Sequence, residues 1–169
     1  QDKQFNDGLI YKNIAAMHAA GIEGGLNYIF SLENETPESM RATFKLACEL
    51  NGAYGNFYCA QALPGSNSLY GNAKRAGYPL PERRGGPGWI GHAQYSYDSE
   101  PCTWNTNVTP QEALAFRDWA HVEYYTRPEY RAKLLKDSKF GQKALDTIDP
   151  WIDQIRNLKR RILGHPRPE

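Results

Sequence analysis

The stretch Gly24–Tyr70, GGLNYIFSLENETPESMRATFKLACELNGAYGNFYCAQALPGSNSLY, decides how this chain folds. Its first apolar run ends at Leu32, and an acidic, polar corner follows at once. Thr36 suits an N-cap, Pro37 the first helical position, and Glu38 the positive end of the helix dipole. Met40, Phe44, Ala47 and Leu50 recur at helical spacing and define one buried stripe. Asn51-Gly52 stops the helix, and the aromatic run AYGNFYCA starts a second strand. Two apolar strands joined by one such helix make a βαβ unit, with parallel strands and a right-handed crossover. In these units chemistry gathers at the carboxyl ends of the strands, here Ser31–Thr36 and Gln61–Ser66.

Working outward, a helix before this stretch can be capped by Asn6 or Asp7, shows an apolar face of Ile10, Ile14 and Met17, and ends at Gly21. After Pro64-Gly65 a short helical segment runs from about Ser66 to Arg75. Gly77 to Gly91 is a Pro/Gly-rich connector without periodicity, and His92 to Asn107 stays irregular. Thr109-Pro110 then caps a helix lined by Ala113, Phe116, Ala120 and Tyr124 and ending before Pro128. Glu129 to Leu135 forms a short helix broken at Phe140-Gly141, and Trp151, Ile155, Leu158 and Ile162 make a last stripe. Trp104, Trp119 and Trp151 read as anchors seating this helical tail on the sheet.

The 169 residues suffice for one domain with a core, and a net charge of +1 gives no electrostatic case for nucleic acid or an anionic membrane. No apolar run approaches the roughly 20 residues that span a bilayer. The three cysteines, Cys48, Cys59 and Cys102, are odd in number and widely spaced, which fits a reducing cytoplasm better than a disulfide framework. Gln1 opens the chain with neither an initiator Met nor a signal-peptide pattern, as in a cut or processed start. Two convincing strands alone leave both edges of a parallel sheet open, with helix for little more than one face. The missing strands must come from a preceding segment, another chain or a rearrangement, so the chain reads as the C-terminal part of something larger.

The succession AGIEGGLNYIFSLENETPESMRATFKLACELN and NFYCAQALPGSNSLYGNAKRAGY resembles the last third of a radical S-adenosylmethionine (SAM) enzyme barrel. More narrowly, it resembles the cobalamin-binding-domain radical SAM enzymes, the group containing the anaerobic protoporphyrin ester cyclases. Members show an apolar strand ending in Gly-Leu-Pro-Gly-Glu-Thr, a helix, a strand ending in Pro-Gly-Thr or Pro-Gly-Ser, and then Leu-Tyr. The matches fall at Leu32, Glu35, Thr36, Glu38, Pro64, Gly65, Ser66, Leu69 and Tyr70, and FRDWAHVEYYTRPEYR is similar to the helical extension that follows the barrel. Ser31-Leu32-Glu33-Asn34 departs from Gly-Leu-Pro-Gly, one extra residue separates Pro-Gly-Ser from Leu-Tyr, and the family's Cys-x3-Cys-x2-Cys loop is absent.

The resemblance implies an α/β fold: a partial parallel (β/α) barrel segment over residues 1–76, an irregular connector over 77–108 and a mostly helical C-terminal extension over 109–169. It implies SAM, a [4Fe–4S] cluster and cobalamin as cofactors of the full-length enzyme, a small-molecule substrate, and as partners the missing N-terminal barrel and cobalamin domains. Carried over, it places Ile29, Ser31, Gln61, Ala62 and Leu63 on a wall against the adenosyl part of SAM, although each also suits an ordinary sheet or turn role. This chain alone is not expected to cleave SAM. The other reading is a non-catalytic α/β module that associates with a partner or with itself at an open sheet edge.

Other candidates carry less. His92 with Tyr95, Tyr97, Asp98 and Glu100 clusters in an irregular loop where acid–base chemistry is conceivable but no spacing supports it. Glu33 and Glu35 are explained by the helix dipole, and His18 and His121 read as satisfied helical side chains. The basic excess from Arg127 onward reads as solvated helix faces.

Overall fold

The computed structural model describes residues 7–63, 68–78, 80, 103–136 and 141–163. In chain order these form α1 (Asp7–Ala19), β1 (Gly25–Phe30), α2 (Pro37–Leu50), β2 (Tyr54–Cys59), α3 (Leu69–Arg75), α4 (Pro110–Thr126), α5 (Pro128–Lys136) and α6 (Gly141–Leu163). The fold is α/β and mostly helical, with a parallel two-stranded sheet in which Gly25 to Phe30 register against Tyr54 to Cys59. Pro64 to Ser66, most of the connector, the His92–Glu100 cluster, Cys102, Phe140 and the side chains of Leu158 and Ile162 lie outside the described residues.

Local chemistry sets the ends of the central helix. Thr36 accepts from Ser39 N–H while Ser39 Oγ accepts from Thr36 N–H, a reciprocal capping box with Pro37 at the first position. Asn51 closes the other end in the left-handed region at φ 45°, which asparagine tolerates. Met40, Ala47 and Leu50 are buried and Phe44 packs at their side, as the spacing predicts.

Leu26, Tyr28 and Phe30 of β1 and Phe57 and Cys59 of β2 turn toward the helices and build an aromatic core. Phe57 is its centre: it stacks on Tyr28 at 5.3 Å and Phe30 at 5.5 Å and meets Tyr124 at 5.6 Å. The opposite face of the sheet carries Asn27, Ile29, Tyr54, Asn56 and Tyr58, with Ile29 51% and Tyr54 57% exposed and Asn56 donating to Asn27 across the strands at 3.0 Å.

Three observations correct the sequence reading. The last stripe is rotated: Leu145, Ile148, Ile152 and Ile155 are the buried positions of α6, with Trp151 at their flank. That helix begins at Gly141 and runs through Pro150, which sits exposed on its outer side. Second, α4 is buried on more than one side, since it packs against both β2 and α6, so Leu114, Arg117, Asp118, His121 and Tyr125 join the expected Ala113, Ala120 and Tyr124.

Third, only one sheet edge is open. Gly55 N–H donates to Tyr125 Oη at 3.2 Å, the same hydroxyl donates to Gly55 O at 3.2 Å, and Phe57 N–H donates to His121 Nε2 at 3.4 Å. Side chains of α4 thus replace a neighbouring strand along β2. The helix can come so close because residue 55 is glycine: a Cβ there would lie 2.9 Å from the Tyr124 ring.

Candidate functional site at the carboxyl ends of the strands

Beyond Phe30 the chain turns sharply at Ser31, whose φ of 62° lies in the left-handed region that disfavours side chains other than glycine, asparagine and aspartate. Ser31 is fully buried, and its Oγ has no hydrogen-bond partner among the described residues. Phe30 O accepts from Ala60 N–H at 2.7 Å, which brings the Ser31 turn beside the segment leaving β2. There Ala62 is buried, Gln61 is half-buried, and Leu63 is 45% exposed with its N–H bonded to Gln61 O at 2.9 Å. Of the five predicted wall residues, Ser31 and Ala62 face the interior, Ile29 stands on the bare sheet face, and Gln61 and Leu63 reach the surface.

The corner after Ser31 is fixed from outside. Glu35 carboxylate accepts from Leu32 N–H at 3.1 Å, and Glu35 N–H returns to Leu32 O at 2.9 Å. Segment Thr103–Thr109 then straps across it. Asn105 Nδ2 donates to Leu32 O and, at 3.0 Å, to Glu35 O; Thr106 donates from N–H and hydroxyl to Glu33 O; Asn107 Nδ2 donates to Asn34 O at 3.2 Å. Four successive carbonyls of a turn that could not bond within itself are satisfied this way. Asn105 Oδ1 meanwhile accepts from Val108 N–H at 2.9 Å and so leads into the Thr109–Glu112 capping box of α4. A cleft of about 350 Å³ lies along the strap, lined by Tyr78, Trp104, Asn105 and Val108 among others.

Glu33 and Glu35 do not form a carboxylate pair for acid–base work. Glu35 is spent on Leu32, and Glu33 accepts from Asn72 of α3 at 2.5 and 2.7 Å. His121 is committed as well: Nδ1 lies 3.1 Å from Arg117 O and Nε2 takes the Phe57 N–H, which assigns the ring proton to Nδ1. Burial, reinforced by the nearby Arg117 charge, lowers its pKa from 6.5 to about 4.

Two features of this end escape a reading by pattern alone. Arg117 and Asp118 are both buried, and the guanidinium donates to Asp118 Oδ1 at 2.7 and 3.0 Å. Their signal was present, since Arg117 falls on the same helical stripe as Ala113, Ala120 and Tyr124. Thr103 is likewise buried with its hydroxyl unpartnered among the described residues. Nothing local announces that one.

An iron–sulfur cluster does not fit the described residues. They hold no group of three His, Cys, Asp or Glu side chains able to share a metal, and burial raises the pKa of Cys48, and that of Cys59 to about 12, so both are neutral thiols rather than thiolate ligands. An adenosyl group fits better, because Ser31 offers a buried hydroxyl with unused bonding capacity beside apolar Ala62. No described helix is long and apolar enough to cross a membrane. Comparison with known proteins returns no matching family, no similar curated protein and no similar solved structure.

Proposed function

We propose that this chain is the C-terminal part of a radical SAM enzyme of the cobalamin-binding group, a partial (β/α) barrel segment with a helical extension that supplies one wall of the SAM pocket. The observation that carries the reading is Ser31. It stands where the resembling motif has its first glycine, and its backbone adopts the conformation for which glycine is best suited. A strained residue with a buried, unused hydroxyl at a strand end is the kind of feature that functional sites retain. Ser31 would hydrogen-bond the polar edge of the adenosyl group, Ala62 would pack on its apolar face, and Ile29, Gln61 and Leu63 would border it from the bare sheet face and the surface. When bound with the cluster and cobalamin held by the rest of the enzyme, SAM supplies radical or methyl-transfer chemistry to a small-molecule substrate. The chain's own part is to bind and orient.

The test uses the polypeptide carrying its native N-terminal sequence, reconstituted anaerobically with iron and sulfide. The expected result is a [4Fe–4S] charge-transfer band and SAM binding that Ser31→Ala weakens about 10-fold, the scale of one hydrogen bond. A protein that forms no cluster in any preparation sinks the reading. The alternative, a non-catalytic module acting through partner or self-association, is favoured by the bare outer edge of β1. A 169-residue chain that stays strictly monomeric and captures no partner counts against it.

A further inference from the structure

The phase of the ladder fixes which backbone groups are free. Because Ala60 N–H bonds Phe30 O, Leu26, Tyr28 and Phe30 turn their main-chain groups to β2, and those of Asn27 and Ile29 point outward. Among the described residues nothing bonds them. The corresponding outward groups of β2 are taken by Tyr125 and His121. The sheet is therefore sealed on one side and extendable on the other.

The exposed edge also lacks every usual safeguard. Gly24 to Leu32 contains no charge and no proline, and none of the described elements lies over the outer side of β1 to bond it. An approaching uncharged strand meets no electrostatic penalty there and simply continues the existing β1–β2 ladder. What belongs at this edge is indicated by α1. It enters β1 as α2 enters β2, through a short turn, here a glycine-terminated one in which Gly21 sits at φ 70° and Ile22 N–H bonds Met17 O at 2.9 Å. A helix in that position packs across the strand it feeds and the strand it comes from. Only the first is present. Ile10, Ile14 and Met17 are accordingly no more than half-buried, and Leu9 and Ile22 are 53% and 54% exposed.

We infer that β1's outer edge receives a further β-strand of the same polypeptide, N-terminal to α1 and parallel to β1, and that this is the only edge at which the sheet grows. The inference rests on the barrel reading above and names the partner that completes it. β2 is then the terminal strand of the whole sheet, closed by α4 instead of by another strand.

Amide hydrogen exchange tests this by residue. In the 169-residue chain, Asn27 and Ile29 should exchange at near-random-coil rates at every protein concentration, while Gly55, Phe57 and Ala60 are protected. In the polypeptide with its native N-terminal sequence, Asn27 and Ile29 should gain about 100-fold protection or more, as ladder amides do. Ile29→Pro should abolish that gain at Asn27 while Ala60 stays protected in both proteins, which separates edge blocking from misfolding. Unprotected β1 amides in the longer polypeptide overturn the inference. So does concentration-dependent protection in the 169-residue chain, which would make a second copy the occupant. Protected β1 amides in a longer protein that binds no SAM would instead keep this inference and sink the cofactor reading.

Discussion

At the amino end of the sheet, Tyr124 and Tyr130 donate to the carbonyls of Gly52 and Ala53, Lys133 donates to Asn51 O, and Arg127 bridges Cys48 O and the Asn51 side chain. These cations also lie at the negative end of α2, where they offset its dipole. At the carboxyl end the carbonyls of the corner are satisfied by the Asn105–Asn107 strap, yet Ser31 and Thr103 keep buried hydroxyls without partners among the described residues, and Ser31 holds a strained backbone. One end is finished and the other has capacity left over. A protein that only needed to be stable would have no reason for the difference, since each unmet buried hydroxyl costs about 1–3 kcal/mol.

The largest way to break this arrangement lies at the buried ion pair near Cys59. Arg117→Met should leave Asp118 buried without its guanidinium and cost about 3–5 kcal/mol in urea unfolding. Adding Asp118→Leu should recover most of that loss. If the single change is nearly neutral, the pair does not order this end.

Next in size is a pH effect on the seal along β2. His121 has a folded pKa of about 4 against 6.5 unfolded, so its contribution is complete above pH 6.5. It is lost as pH falls from 6.5 toward 4, at up to about 1.4 kcal/mol per pH unit, because only the unfolded chain binds the proton readily in that window. The ring cannot simply charge in place, since Arg117 lies beside it and its Nε2 must accept from Phe57. Thermal unfolding followed between pH 7 and 4, in the wild type and in His121→Gln, checks this. An unchanged slope in the variant would assign the acid sensitivity to other groups.

How far such features could be read in advance follows from their range along the chain. The β1–α2–β2 unit, the Thr36 and Thr109 caps and the Asn51-Gly52 stop are written in residues three to five apart, and the structure carries them as read. The α6 stripe was misplaced because Trp151 was weighed above Ile148 and Ile152, although a large flanking aromatic is only partly buried when smaller residues fill the interior. The β2 seal and the corner strap link groups some 64 to 73 residues apart. Asn105 and Tyr125 have no local signature for those roles, because any polar loop residue or half-buried tyrosine looks the same in sequence. The position of Ser31 was legible; its left-handed backbone was not.

Ser31 also gives the finest test of the contrast between the two ends. Replacing it with glycine removes a left-handed strain of about 1–2 kcal/mol and a buried hydroxyl, against about 0.5–1 kcal/mol of extra backbone entropy lost on folding. Ser31→Gly should therefore raise stability by about 1 kcal/mol or slightly more, a small effect of unusual sign for a fully buried position. Ser31→Ala keeps the strain and removes only the hydroxyl, so the difference between the two variants measures the backbone term by itself. If both variants are destabilised in urea unfolding, the hydroxyl is already engaged within the protein and no spare capacity exists at this end. A more stable Ser31→Gly that binds SAM less well in the longer polypeptide would show stability and binding pulling in opposite directions at one residue.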